Sequence, residues 1–335
     1  MNCFSKNIIK IVGKKNYITA DNAMAPFKNG WRTQSGDCKA VITPETLLEF
    51  WKVLKVLVKY KKIILIQASN TSLTGGSTPN GSYDRELFII NTLKLDNIFL
   101  INKAKQVIAL PGSTLYSLEK KLNKFNRAPH SEIGSSCIGA SIVGGICNNS
   151  GGALIKRGPA YTELSLYASV NKEGNLELIN NLGIDLGNNP EEILNSLDRG
   201  NFPLNKFVKS NKKASSVDYK NIVKDVNANT PARFNADERR LYDASGCAGK
   251  VAVFAVRLDT FEKEKNEVTY YLSTNSAKDL TNFRRKVLQE VSDLPISNIS
   301  NFELKTLRIR ITLTGCILLT THTVMKNWKP GTDAV

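Results

Sequence analysis

Apolar positions fall into two patterns along this chain, short continuous runs and helical spacings, and they often follow one another. Ile63, Ile64, Leu65 and Ile66 form a continuous run and predict a buried strand. Ala40, Val41 and Ile42, Leu87 to Ile90, and Gln106 to Leu110 predict further strands. Leu47, Leu48, Trp51, Leu54 and either Leu57 or Val58 share one helical face, with Lys52, Lys55 and Lys59 opposite. Thr43 is read as the cap of that helix, with Pro44 at its first position and Glu45 in its first turn. The result is a strand–helix–strand unit. Ser113 is read as the cap of a second helix, in which Leu115, Leu118 and Leu122 share a face.

Further along, residues 164–170 and 176–179 predict a hairpin across the turn at Asn171 to Gly174. Asn189, Pro190, Glu191 and Glu192 open a helix, with Glu192 placed for a capping box, and the helix should end near Leu197. Residues 199–230 carry Lys206, Lys209, Lys212, Lys213, Lys220 and Lys224 and read as a surface excursion. A short helix with Arg239 and Arg240 follows, and then a continuous apolar strand from Val251 to Val256, expected to be central. Strand-like residues 268–272 and a helix capped by Ser276, with Asp279 in its first turn, open a new unit from a boundary near 265. In the last 38 residues, strand-like pieces at 307–313 and 317–320 show no evident partners. These short strand–helix alternations predict an α+β fold.

Composition narrows the function. A chain of 335 residues with 41% apolar content can bury a full core. The formal net charge of +16 points to an anionic partner, but the charge is spread through the chain without interleaved aromatics, which argues against nucleic acid. Six cysteines without a C-x-x-C pair, and only His130 and His322, argue against zinc, so no metal is expected. Lys6, Lys10, Lys14 and Lys15 interrupt any signal-peptide-like stretch, and no run is long enough to span a bilayer. The expectation is a cytoplasmic chain with reduced thiols and at most peripheral contact with anionic lipid.

Two stretches carry candidate chemistry. The strand at 63–66 runs into Gln67, Ala68, Ser69, Asn70, Thr71, Ser72, Leu73, Thr74, Gly75, Gly76, Ser77 and Thr78. Two glycines let the backbone turn tightly, and hydroxyl and amide side chains add donors, a suitable cradle for a pyrophosphate. An ordinary Gly/Ser turn is the alternative. The second stretch, from His130 to Gly152, holds six glycines. Their entropic cost is justified by close packing against a large flat ligand, or by a tight structural turn.

With these residues in view, the chain resembles the quinone-dependent D-lactate dehydrogenases, flavoproteins with the FAD-binding fold of the vanillyl-alcohol oxidase type. The runs PHSEIGSSCIGASIVGGICNNSGG, RGPAYTE and GCAGKVAVFAVRLDTFE carry the resemblance, which extends over roughly residues 10–296. It implies two α+β subdomains in an FAD-binding domain at 1–265, followed by the start of an incomplete substrate or cap domain at 266–297 and a divergent tail at 298–335. It implies that Ala68, Ser69, Asn70, Thr71, Ser72, Gly76 and Ser77 hold the FAD pyrophosphate. Gly134, Ser141 and Gly151 would line the flavin and ribityl region, and Val253 would touch the cofactor by its backbone. It implies oxidation of D-lactate, or a similar small 2-hydroxy acid, to the 2-oxo acid, with electrons passed to a membrane quinone. The location implied is peripheral, on the cytoplasmic side of the inner (plasma) membrane.

The resemblance assigns no catalytic residue here; His130 is the one histidine inside it, read more readily as structural than as the base. The match fades after Pro295 and Ile296, where a cap domain with most catalytic groups should follow. A frameshifted, prematurely stopped tail would account for this and would leave an FAD-binding domain without a complete active site. The alternatives are a flavin enzyme for another 2-hydroxy acid, and a non-catalytic FAD-binding remnant needing a separate C-terminal partner.

Overall fold

The computed structural model describes residues 3–131, 138–151, 155–200, 202, 204–232, 234, 237–263, 268–290, 297–299 and 315–321. The chain forms two compact units, the first from residues 1–152, 159–216 and 234–261, the second from 153–158, 217–233 and 262–335.

The first unit contains two sheets. In one, β1 (Tyr17–Ile18), β2 (Ala40–Ile42), β3 (Ile63–Gln67) and β4 (Leu87–Asn91) lie in the order β1-β2-β4-β3. β2, β4 and β3 run parallel, as a strand–helix–strand unit requires, and the crossover helix is α3 (Leu47–Lys59). All of β4 is buried, whereas Ile63 to Ile66 are half-buried because β3 is the edge strand. This corrects the reading of 63–66 as a fully buried strand.

α3 buries Leu47, Phe50, Trp51, Val53, Leu54 and Leu57, each worth about 2 kcal/mol of transfer free energy. Its cap is Thr46, whose side chain accepts from Glu49 N at 3.1 Å, and not Thr43. Thr43 is already engaged: its N–H donates to the Asn16 carbonyl and its hydroxyl to Asn16 Oδ1. The cap lies three residues later than expected at α3 and one residue later at α4 (Leu115–Asn123), which is capped by Thr114. Ser113 Oγ instead donates to the Leu110 carbonyl at 2.6 Å, closing the Pro111–Gly112 turn.

Two N-terminal helices were not read from the sequence. α1 (Cys3–Val12) buries Phe4, Ile8 and Val12, an i, i+4, i+8 spacing that was there to be found, and α2 is Asp21–Lys28.

The second sheet is antiparallel and has the order β5-β6-β10-β8-β9. Its strands are β5 (Ile98–Ile101), β6 (Gln106–Ala109), β8 (Ser165–Val170), β9 (Leu176–Asn180) and β10 (Ala252–Asp259). β10 is central, as its continuous apolar run predicts. β8 and β9 pair as the expected hairpin. The register between β10 and β8 shifts between Val253 and Ala255, a bulge that leaves Phe254 without a pair. Phe254 is fully buried and stacks on Phe50 with ring centroids 4.5 Å apart, so one core joins α3 to the second sheet.

α6 (Pro190–Arg199) is capped by Asn189 and stops at Gly200 in the left-handed conformation, two residues past the predicted end. Glu192 Oε2 reaches back to the N–H of Asn188, a variant of the capping box. α5 (Ile142–Cys147) belongs to the site, and β7 (Arg127–Ala128) and β11 (Phe261–Glu262) are two-residue strands.

In the second unit, α7 (Tyr219–Lys224) and α8 (Ala277–Glu290) meet around buried Ile155, Tyr219, Val223 and Leu288. Arg285 donates to the Val226 carbonyl at 2.7 Å. Residues 199–230 are therefore more than a surface excursion, because Tyr219 and Val223 supply an apolar i, i+4 pair inside the lysine-rich run. Ser276 caps α8 as predicted, accepting from Asp279 N. β12 (Val268–Thr274), β14 (Gly315–Thr321) and β13 (Ser297–Ile299) form an antiparallel sheet in the order β12-β14-β13. Residues 317–320 thus have strand partners, contrary to expectation, while 307–313 lie outside the described residues.

Candidate functional site

The loop after β3 leaves the carboxyl end of a parallel strand, the usual ligand side of such a sheet. Its framework is an amide network. Gln67 Nε2 donates to the Phe27 carbonyl at 2.9 Å and to the Ser77 carbonyl at 2.8 Å, bringing the two ends of the loop together. Asn70 holds the middle. It has φ of 53°, donates to the Asn29 carbonyl at 2.7 Å, and accepts from Ser77 Oγ at 2.9 Å and Thr78 Oγ1 at 2.8 Å. The Ala68 carbonyl accepts from Asn91 Nδ2 at 3.0 Å, and Ser72 Oγ and Thr74 Oγ1 share a hydrogen bond of 2.8 Å. Gln34 Nε2 donates to the Gly75 carbonyl at 2.9 Å.

Most side-chain donors singled out in this loop are thus engaged within the protein. The backbone is not. Among the described residues, the N–H groups of Asn70, Thr71, Gly76 and Ser77 donate to no protein acceptor. The two glycines also differ. Gly75 has φ of 71°, a left-handed conformation that favours glycine, and a Cβ there would push aside the terminal amide of Gln34. A Cβ on Gly76 would meet nothing within 4 Å, so its side faces open space.

Ser69 ties this loop to the second stretch, its hydroxyl donating to the Gly139 carbonyl. Gly139 has φ of 91°. The chain then enters α5. Ser141 caps it, accepting from Gly144 N at 3.0 Å, and Ile142 N donates to the Ser113 carbonyl at 2.9 Å. Past α5, Ser150 is fixed at both sides, donating to the Gly145 carbonyl at 2.8 Å and accepting from Ala160 N at 2.8 Å. Gly151 follows directly. Val253 is buried in β10, opposite Tyr167 of β8 and next to the register shift at Phe254. Gly134 lies outside the described residues. His130 is 4% exposed.

One residue missed by the sequence reading stands out. Asn149 has φ of 48° and is 3% exposed, yet both polar atoms of its side-chain amide lack a hydrogen-bond partner among the described residues. A Cβ on Gly246 would fall 2.5 Å from Asn149 Nδ2, so the 245–247 turn closes over it. Leaving such a group unpaired costs about 1–3 kcal/mol, which marks a place where a further polar partner fits. The signal in the sequence was a polar Asn-Asn pair amid glycines. The buried Ser131 hydroxyl, in the same stretch, is likewise without a partner among the described residues.

The arrangement offers unpaired N–H groups on one segment, and on the other a wall of small residues containing an unpaired buried amide. Comparison with known proteins gives the family context of these two segments. Residues 38–176 match the FAD binding domain family. The chain is 52% identical over 295 residues to the quinone-dependent D-lactate dehydrogenase of Escherichia coli (strain K12), covering 88% of this chain and 52% of that protein. It is 53% identical over 288 residues to the enzyme of that name from Haemophilus influenzae, covering 86% and 51%. The chain therefore spans about half the length of the curated relatives it matches.

Among solved structures it resembles p-cresol methylhydroxylase with substrate bound, with a TM-score of 0.54 and 14% identity over 84% of this chain and 47% of that one. It also resembles a Phl p 4 variant described as a glucose dehydrogenase, with a TM-score of 0.60 and 13% identity over 96% and 56%. These likenesses show the fold alone, the α+β FAD-binding fold of the vanillyl-alcohol oxidase type. The chain carries an FAD binding domain and is a relative of the quinone-dependent D-lactate dehydrogenases, whose sequence it shares over about half of their length.

Proposed function

We propose that the loop at 67–81 and the segment at 138–151 form one FAD cradle, and that the chain is the flavin-binding part of an enzyme oxidising D-lactate with a membrane quinone as acceptor. The contact from Ser69 to the Gly139 carbonyl carries the reading, because it joins the donor loop to the Cβ-poor wall. The unpaired N–H groups at 70, 71, 76 and 77, beside the open flank of Gly76, suit the pyrophosphate. Ala68, Ser69, Asn70, Thr71, Ser72, Gly76 and Ser77 make up that side. Ser141 and Gly151, with Gly134, make up the flavin side, Val253 contributes its backbone, and Asn149 joins them through its unpaired amide. Bound FAD would supply the two-electron acceptor for hydride removal from a 2-hydroxy acid.

In this proposal residues 1–265 are the FAD-binding domain, 266–297 begin a substrate domain, and 298–335 diverge from it. D-Lactate oxidation belongs to the whole protein, whose curated relatives are about twice as long. Among the described residues no helix is long and apolar enough to cross a membrane. Association with the cytoplasmic face of the membrane would then be peripheral, through anionic lipid. The test is a visible absorption spectrum of the purified 335-residue chain, before and after anaerobic D-lactate. An oxidised flavin spectrum that persists is the expected result. Bleaching would show that the active site is complete in this chain, and absence of flavin after reconstitution would overturn the cradle.

A further inference from the structure

The formal charge of +16 is spread along the sequence, but the fold gathers part of it onto one face of the first unit. α1 and α3 lie side by side and antiparallel. At one end Phe4 of α1 meets Tyr60, the C-cap of α3, with ring centroids 5.2 Å apart. At the other end Lys15, just past α1, pairs with Glu45, just ahead of α3, at 3.1 Å. Phe4, Ile8 and Val12 of α1 bury into the same core as Phe50, Leu54 and Leu57 of α3. The opposite side of each helix is therefore turned outward. It carries Lys6 and Lys10, four apart on α1, and Lys52, Lys55 and Lys59, in one stripe on α3, all five exposed. No acidic residue lies between Cys3 and Asn16. Between Leu47 and Lys62 the one acidic residue is Glu49, whose carboxylate accepts from the N–H of Glu45 at 2.7 Å. Among the described residues no carboxylate pairs with any of the five lysines. By contrast Lys28, Lys62 and Lys206 each hold a carboxylate partner.

We propose that this face of α1 and α3 is a docking surface for an anionic lipid bilayer. The 13 residues of α3 span about 20 Å, and Phe4 packs α1 onto Phe88 of β4 beside it. Two helices side by side over a sheet make a flat face rather than a groove. A flat face of unpaired ammonium groups matches a plane of headgroup phosphates, which asks for point charges and no fixed hydrogen-bond geometry. Neither helix contains arginine, and no aromatic side chain stands between the lysines, where a single-stranded nucleic acid would stack. Among the described residues of the two helices and their caps, Tyr60 at the end of the face is the one exposed large apolar side chain. The attraction is therefore electrostatic and sensitive to salt, without insertion. The lysines of α1 and α3, and not those of the 199–230 excursion, then meet the membrane. The choice of lipid over another polyanion rests on the reading of a membrane quinone as acceptor; the charged face itself does not.

The test is co-sedimentation of the 335-residue chain with vesicles of phosphatidylcholine, alone or with about 30% phosphatidylglycerol, at about 0.1 M and about 0.5 M salt. Binding to the anionic vesicles alone, lost at the higher salt, is the expected result. A chain with Lys10→Gln, Lys52→Gln and Lys55→Gln should bind about 100-fold more weakly, at about fivefold for each lysine near the surface. Lys120→Gln, Lys124→Gln and Lys209→Gln together remove the same charge from exposed lysines elsewhere, and should leave binding within about threefold of wild type. Equal weakening by the two triple variants would overturn the face. So would wild-type binding to phosphatidylcholine alone, or a single-stranded RNA held in preference to the anionic vesicles. An FAD titration of the same chain reads the cradle separately. No vesicle binding by a chain that FAD still saturates would overturn this surface and leave the cradle standing, and vesicle binding without FAD would overturn the cradle alone.

Discussion

The loop at 67–81 and the segment at 138–151 were both singled out for glycine and small polar residues, but their polar groups are arranged in opposite ways. In the loop, side chains are tied to one another around Asn70 and Gln67, and the backbone N–H groups are left over. In the segment, the backbone is tied to neighbours at Ile142, Ser150 and Ala160, and a side-chain amide, that of Asn149, is left over. A donor-rich composition therefore does not say which donors face a ligand. In one place side chains shape a backbone site, and in the other the backbone holds a side-chain site.

The largest effect should come from breaking the loop's framework. Asn70→Ala removes three hydrogen bonds and puts alanine at φ of 53°, at a cost of about 3–4 kcal/mol. Thermal unfolding of the apo chain should fall by several degrees, and flavin should no longer co-elute on gel filtration. Asn149→Gly tests the opposite arrangement. The side chain has no partner to lose, and glycine accepts φ of 48°, so apo stability should change by less than about 1 kcal/mol. FAD affinity should fall about tenfold, roughly the worth of one hydrogen bond. Equal losses of stability and affinity would make Asn149 merely structural.

The two adjacent glycines sharpen the contrast. Gly75→Ala should destabilise the apo chain by about 1–3 kcal/mol, because its Cβ meets Gln34 and its φ is 71°. Gly76→Ala should leave apo stability within about 0.5 kcal/mol while weakening FAD binding, since its flank is open to the ligand and to nothing in the protein. Paired chemical denaturation and FAD titration separate the two.

The smallest effect lies outside both regions. Asp198 accepts from the N–H groups of Leu47 and Leu48 at the start of α3, and burial raises its carboxyl to about 6. A carboxyl raised above its unfolded value binds its proton more tightly when folded. Its contribution is most favourable below about pH 4 and is lost as pH rises through about 6. Asp198→Asn keeps an acceptor for one N–H, and should flatten stability against pH between about 4 and 6.

The elements were legible where one local pattern decided them. The strand–helix–strand unit, the β8–β9 hairpin and the central β10 follow from runs and spacings within each segment. What was not legible depended on distant partners. Thr43 reads as a cap until Asn16, 27 positions away, claims it. The run at 63–66 reads as buried because edge position is a property of strand order and not of the strand. At the candidate site, the glycine signal marked both segments, but their joining through Ser69 and Gly139 spans 70 positions. Asn149 passed unnoticed because an unpaired amide is defined by what surrounds it.

The most direct test of the joined cradle is an equilibrium titration of the apo chain with FAD, followed by flavin fluorescence, for wild type and Ser69→Ala. The account predicts saturation at one FAD per chain with a Kd near or below about 1 μM, weakened at least about tenfold by the loss of the Ser69 hydroxyl that holds the two walls together. Absence of saturable binding, or a Ser69→Ala chain that binds as tightly as wild type, would contradict it.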